Sequence, residues 1–202
     1  MPDPLGPPAA REERGPVTPA AVLDAALTLF ADRGYHGTSV QQIARLLQIR
    51  PPSLYNHMSS KQQLLQDILT KTTREVWEDF TIATSGIDDV EARLAAAVRI
   101  YALRHATHRR EALVVNRDIS SLEEPARSEV LELRRRHEHA VRSLIEEGIE
   151  AGVFMEQPPS LASFAVLESC VSIARWFQPS GRFSPGEIAE HYSRYALRIA
   201  RG

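Results

Sequence analysis

The segment between Arg33 and Gln66 concentrates basic and hydrogen-bonding side chains. No Asp or Glu occurs within it, whereas Arg33, Arg45, Arg50 and Lys61 all do. Phosphate contacts dominate the affinity of proteins for nucleic acids, and they are made by Lys, Arg and neutral donors. The segment is therefore a candidate DNA-facing surface, even though the whole chain carries a net charge of −2.

Other candidate chemistry is sparse. The single cysteine, Cys170, excludes an internal disulfide and a Cys-rich metal site. His137 and His139 stand two positions apart and so point to different sides of a helix, which predicts no shared metal ion. No nucleophile-turn motif is present. We expect neither a cofactor nor enzymatic activity.

Composition indicates a globular protein. Of 202 residues, 43% are apolar and 25% are charged. The N-terminus has no apolar segment typical of a signal peptide, and no apolar run is long enough to span a membrane. These features predict a cytoplasmic protein with no membrane partner. Residues 1–16 are rich in Pro and Gly, which predicts a flexible tail in which Arg11 and Arg14 are solvated.

Helical spacing of apolar residues continues along the rest of the chain, without strand-like alternation. Thr18 and Pro19 begin a first helix that Gly34 ends. Thr38 and Gln41 have the spacing of a capping box for a second helix. The pattern predicts further helices over residues 51–57, from Ser59 or Ser60 to 83, and over 90–107, 111–116, 125–151, 160–177 and 184–200. The predicted fold is all-α with about nine helices.

The residues from Thr38 to Met58 have the composition of a helix-turn-helix. A first set is apolar and can hold two helices at an angle: Val40, Ile43, Ala44, Leu47, Ile49 and Leu54. The outward set is polar and suits phosphates and base edges: Gln41, Gln42, Arg45, Arg50, Ser53, Tyr55, Asn56 and His57.

Two motifs add a specific resemblance. One is Ser53-Leu54-Tyr55-Asn56-His57-Met58 followed by Ser60-Lys61 and Leu64-Leu65. The other is Phe30-Ala31-x-x-Gly34-Tyr35-x-Gly37-Thr38-Ser39-Val40-x-x-Ile43-Ala44. Together they resemble the N-terminal domain of the TetR/AcrR family of bacterial transcriptional regulators over about residues 18–66. The resemblance implies a three-helix DNA-binding domain at 17–62 and a helical ligand-binding and dimerisation domain at 63–202.

The same resemblance implies roles for single residues. Thr38 would cap the second helix and contact phosphate, Gln42 and Arg45 would lie along the DNA backbone, and Tyr55, His57 and Lys61 would bind phosphates. Base edges would be approached by Arg50, Pro52 and Ser53, with Asn56 beside them. The pair Pro51-Pro52 departs from the family pattern and removes amide donors. Arg50 is therefore the first candidate for a base contact, to a guanine.

The C-terminal part is predicted to dimerise and to bind a ligand. The helix at 160–177 is apolar on several faces, which the family's dimer interface explains and a central core helix of a monomer would also explain. Candidate dimerisation residues are Phe164, Leu167, Glu168, Val171, Arg175, Ile188, Tyr192 and Tyr195. Candidate ligand-binding residues are Tyr101, His105, Val114, Asn116, His137 and Trp176. Their composition indicates a small, largely apolar effector.

The expected function is a homodimeric repressor that leaves a palindromic operator when the effector binds. The segments Ala174–Phe177 and Gly181–Pro185 resemble family members that sense acyl-CoA thioesters, which implies an acyl-CoA effector. Activation, or regulation without a ligand, fits the same fold. A helical-bundle enzyme is the alternative from another class, and it lacks a catalytic constellation.

Overall fold

A computed structural model describes residues 17–202, and the expected tail with Arg11 and Arg14 lies outside them. The described chain forms nine α-helices and no strand. These are α1 (Pro19–Arg33), α2 (Val40–Leu46), α3 (Pro51–Leu54), α4 (Lys61–Thr84), α5 (Val90–Thr107), α6 (Arg109–Asp118), α7 (Ala126–Glu150), α8 (Pro159–Trp176) and α9 (Pro185–Arg201). A 3₁₀ turn at Ile119–Ser121 follows α6. The all-α prediction is confirmed.

Local capping chemistry sets most helix starts. The Thr18 side chain accepts from the amide of Ala21 at 3.2 Å, and Pro19 follows it at the first helical position. Ser60 caps α4 through the amide of Gln63, at 3.0 Å. Ser184 forms a capping box at the start of α9. The predicted cap of α8 is wrong, because that helix begins at Pro159 and contains Ser160 in its first turn.

The cap of α2 also differs from the expectation. Ser39, not Thr38, accepts from the amide of Gln42 at 3.2 Å, and the Gln42 side chain accepts from the amide of Ser39 at 2.7 Å. The Thr38 hydroxyl instead donates inward to the carbonyls of Leu29 and Gly34. The Thr38 side chain, which could have capped α2, is therefore bound to α1, and the capping box begins one residue later, at Ser39.

Two apolar cores lie in the described chain. One joins α5, α7, α8 and α9, with Phe80 at the end of α4. The other holds the buried residues of α1 to α4 and continues into α6 and α7 through Val114, Val115, Leu122 and Val130. The N-terminal helices thus share this second core with α6 and the start of α7. The domain boundary expected at 62/63 falls inside α4 and stays a prediction.

Candidate nucleic-acid interface and effector cavity

The loop between α1 and α2 is tied to the start of α4. The ammonium of Lys61 donates to the carbonyls of Tyr35 and Thr38, at 2.9 and 2.8 Å, and lies 4.1 Å from the centre of the Tyr35 ring. Burial lowers the pKa of Lys61. The Tyr35 hydroxyl donates to the side chain of Gln62 at 2.7 Å. Two of the three N–H groups of Lys61 thus link α4 to the loop, and the third remains available for a phosphate.

Close packing fixes the angle between α1 and α2. A Cβ atom on Gly37 would overlap the carbonyl oxygen of Arg33, so this position requires glycine. Ile43, Ala44 and Leu54 are fully buried between the helices. The turn after α2 places Gln48 at a φ of 59° and returns the amide of Ile49 to the carbonyl of Ala44, at 3.0 Å. The apolar set predicted for the helix-turn-helix therefore holds α2 and α3 together.

α3 is shorter than predicted. It ends at Leu54, and residues 55–57 continue as a turn in which the amide of His57 donates to the carbonyl of Leu54 at 2.9 Å. Pro51 and Pro52 occupy its first two positions, and no side chain caps it. The amide of Ser53 is bound to the carbonyl of Arg50. This helix start offers no free backbone donor to a phosphate, so side chains must make the contacts.

Six of the ten predicted DNA-binding residues are exposed, and we call this set the head surface: Arg45, Arg50, Pro52, Ser53, Tyr55 and Asn56. Tyr55 is 56% exposed. His57 is half-buried, and Gln42 is half-buried and holds its cap. The phosphate contact predicted for Thr38 is wrong. Thr38 is 2% exposed, and its hydroxyl donates to the carbonyl of Gly34 at the end of α1. It positions α2 and cannot donate to a phosphate.

A cavity lies between α4, α5, α6 and α7, and we call it the inner cavity. Its lining includes Thr73, Tyr101, His105, Asn116, Arg134 and His137. The centres of water-sized molecules can occupy about 50 Å³ of it. At roughly 10–15 Å³ per water, this is space for a few waters, far below the volume that a large ligand needs. Four of the six predicted ligand residues meet here.

The other two predicted ligand residues lie elsewhere. Val114 is fully buried in the core shared with α1 to α4, because it faces the opposite side of α6. Trp176 is 47% exposed and stacks on Tyr192. Arg134, which is not among the predicted ligand residues, also lines the cavity. Its spacing from Val130 and His137 places it on the inward stripe of α7, and that spacing was the available signal.

The cavity wall holds several polar groups with fixed partners. Arg104 is 9% exposed and is paired with Glu75 at 3.0 Å and with Asp79. Burial lowers the pKa of both His105 and His137 to about 4, so both imidazoles are neutral near pH 7. No group of three or more potential metal ligands occurs within residues 17–202.

Comparisons with known proteins identify the family. Residues 22–68 match the family described as bacterial regulatory proteins, tetR family. Residues 88–200, more than half of the chain, match the tetracyclin repressor-like C-terminal domain. The chain belongs to the TetR family. It is a DNA-binding transcriptional regulator and not an enzyme.

Relatives agree with this assignment. The transcriptional repressor KstR2 of Rhodococcus jostii is 28% identical over 179 residues, which cover 87% of each chain. The TetR-family regulator PfmR of Thermus thermophilus is 30% identical with a TM-score of 0.79, over 88% of this chain and 97% of that one. AibR, solved with isovaleryl coenzyme A and operator DNA, is 25% identical with a TM-score of 0.79, over 88% and 96%.

The C-terminal helices of this TetR-family chain expose large apolar side chains. Leu161 is 66% exposed, Phe164 53%, and Trp176 and Tyr195 47% each. Among the other predicted dimerisation residues, Glu168 and Arg175 are exposed, Leu167 and Tyr192 are half-buried, and Val171 and Ile188 are buried. Ile188 packs in the chain's own core at 3% exposure, because it lies on the side of α9 that faces α5, and it is not available to a second copy. Within residues 17–202, no helix is both long and apolar enough to cross a membrane.

Proposed function

We propose that the protein is a homodimeric cytoplasmic repressor that binds a palindromic operator and leaves it when a small molecule occupies the C-terminal domain. The observation that carries the proposal is the head surface. Its exposed side chains donate to phosphates and base edges, and no carboxylate occurs from Arg33 to Gln66. The similarity to KstR2, a transcriptional repressor, supports repression over activation.

Dimerisation is supported by the exposed apolar side chains of α8 and α9. Isolated exposed apolar residues are ordinary, but a cluster on two adjacent helices marks an interaction surface. Pairing of two copies through these helices would present two head surfaces to DNA. A dimer with two-fold symmetry reads two half-sites of a palindrome in successive major grooves.

A route from the cavity to the head surface runs through α6 as well as α4. Asn116 lines the inner cavity, and the adjacent Arg117 donates to the carbonyls of Phe30 and Ala31 at the end of α1. Arg110, on the same helix, is paired with Asp24 at 2.9 Å. α4 begins at the Lys61 link and lines the cavity with Thr73. An effector that displaces α6 would shift the spacing of the two heads and favour a state that misfits the operator.

The effector is proposed to be a small molecule with a largely apolar body, of which an acyl-CoA is one form. AibR was solved with isovaleryl coenzyme A, and this chain shares its fold at 25% identity. A groove of about 250 Å³ between α7 and α8, which we call the outer groove, offers Leu131, Leu167 and Val171 as an apolar wall. This wall suits a hydrocarbon chain.

DNA binding can be tested by fluorescence anisotropy with duplexes from the protein's own promoter region. Arg50→Ala should weaken binding by about 1–3 kcal/mol and relax the sequence preference at one position. Tyr55→Ala should weaken all duplexes alike, since a phosphate contact carries no sequence information. Arg135→Ala is the control, because this exposed arginine lies on α7. Wild-type binding by both head variants would contradict the proposal.

A further inference from the structure

His137 lines the inner cavity, and its side chain carries a buried nitrogen without a partner. His137 is 7% exposed, and its Nε2 has no hydrogen-bond partner among the described residues. The ring is surrounded by the aromatic rings of Tyr101, Phe80 and Trp77, at centroid distances of 4.8, 5.2 and 6.3 Å. An unsatisfied buried polar group costs roughly 1–3 kcal/mol. A molecule that supplies the missing hydrogen bond recovers this cost.

Two neighbours of His137 can only accept hydrogen bonds from a ligand. The Nδ1 of His105 lies 2.8 Å from the carbonyl of Tyr101, so Nδ1 carries the ring hydrogen and Nε2 is a bare acceptor. The hydroxyl of Thr73 donates its one hydrogen to the carbonyl of Leu69 at 2.7 Å. A ligand in the inner cavity must therefore carry a hydrogen-bond donor. A hydroxyl also suits His137 in either tautomer, since it donates to a bare nitrogen and accepts from an N–H.

Arg134 supplies the complementary donors. It lines the cavity, and its nearest acceptor is the carbonyl of Val115 at 3.5 Å. Within the described part of the chain Arg134 makes no ion pair, in contrast to Arg104, and no carboxylate lines the cavity. An unpaired guanidinium beside neutral imidazoles recognises a carbonyl or carboxylate oxygen.

The three side chains Tyr101, Arg134 and His137 line both the inner cavity and the outer groove. They form the wall between a small polar space and a larger space with an apolar side. Because the inner cavity is small, the hydroxyl and the carbonyl oxygen of one ligand must lie within a few bonds of each other. The hydrocarbon part then extends into the groove.

We propose that the inner cavity recognises the polar head of a hydroxyacyl effector, with the hydroxyl bonded to His137 and His105 and the acyl oxygen bonded to Arg134. The proposal rests on the function proposed above and narrows its effector to one chemical class. An acyl group that lacks the hydroxyl leaves the Nε2 of His137 without a partner and binds more weakly.

The test compares ligands that differ by the hydroxyl alone. The probes are 3-hydroxyoctanoyl-CoA against octanoyl-CoA and 3-hydroxyoctanoate against octanoate, by titration calorimetry and by release of promoter DNA. The hydroxylated member should bind about ten-fold more tightly in at least one of the two pairs, which corresponds to one recovered buried hydrogen bond. Binding in the free-acid pair would show that the coenzyme is dispensable.

Single-residue variants test whether the preference for the hydroxylated ligand arises in the inner cavity. His137→Phe should bring the ratio of the two affinities close to one, whereas His139→Phe, two positions away and exposed, should keep it. Arg134→Met should weaken both members of a pair by a similar factor and keep the ratio. Far-UV circular dichroism establishes that each variant is folded, and the Arg134 variant carries the test if the His137 variant is not.

Three results would overturn the inference: equal binding of both members in wild type, a preserved ratio in His137→Phe, or no binding of any probe by a protein that binds promoter DNA. The last result leaves the proposed regulator intact. Absence of promoter binding in the ligand-free protein would instead refute the proposed function, so the two failures are distinguishable.

Discussion

The two buried histidines should make the protein sensitive to mild acid. Burial, together with the positive charge of Arg134, lowers the pKa of His105 and His137 from 6.5 to about 4. The unfolded chain then binds more protons than the folded chain between these values. The free energy of unfolding therefore rises with pH through this window and falls as the pH drops from about 6.5 towards 4.

The magnitude follows from the two pKa values. At pH 5 a histidine is almost fully protonated in the unfolded chain and mostly neutral in the folded one, which costs about 2 kcal/mol relative to pH 7.5. The pair could cost up to about 4 kcal/mol, a large part of the 5–15 kcal/mol typical of a folded domain. The lowered carboxyl pKa values, such as that of Glu91, contribute little at pH 5, because those groups are mostly ionised in both states at that pH.

Urea unfolding followed by circular dichroism at pH 7.5 and pH 5 measures this cost. Protein concentration must be constant, since the proposed dimerisation would make the stability depend on it. In His137→Phe the loss between the two pH values should shrink to about half, because one titrating group remains. An unchanged free energy of unfolding at pH 5 in wild type would refute the assignment of two neutral buried histidines. If the loss of stability between pH 7.5 and pH 5 is as large in the variant as in wild type, groups other than His137 take up the protons.

Three further predictions concern packing, assembly and coupling. A Cβ on Gly148 would overlap the ring of Phe154, so Gly148→Ala should destabilise the protein by about 1–3 kcal/mol, whereas Gly186→Ala enters open space and should leave the melting temperature nearly unchanged. Phe164→Glu should yield monomers in sedimentation velocity, and Ile82→Glu, at another exposed apolar site, on α4, should not. A dimeric Phe164 variant would contradict the interface. Arg117→Ala should keep effector binding in calorimetry and reduce effector-induced release of promoter DNA; full release would exclude this link as the route.

The start and end of most helices could be predicted because their signals are local. Thr18, Pro19 and Gly34 bound α1 as expected, and α5 runs from Val90 to Thr107 as the apolar spacing indicated. The motif around Tyr55 sufficed to identify the DNA-binding head and its family. An exposed side chain on a short helix needs no distant partner to be placed correctly, so the head surface was largely predictable.

Long-range contacts decided the remainder. Thr38 and Ser39 both had the spacing of a cap, and the carbonyls of α1 took the Thr38 hydroxyl, which left the capping box to Ser39. The family resemblance predicted a phosphate contact for Lys61, whereas its ammonium donates to two carbonyls of the loop between α1 and α2. The partners of Thr38 and Lys61 lie on α1 or in the loop that follows it, and helical spacing carries no information about which carbonyl a side chain will meet.

The effector site shows the same division. The inward stripes of α5 and α7 placed Tyr101, His105 and His137 together, because periodicity alone decides which side of a helix faces the core. Periodicity could not separate the two sides of α6, so Val114 packs against α1 to α4 while Asn116 faces the cavity. The sequence by itself determined an all-α regulator with a DNA-binding head. Only the packing of four helices around one space decided which polar groups stay without partners there, and hence what chemistry a ligand must bring.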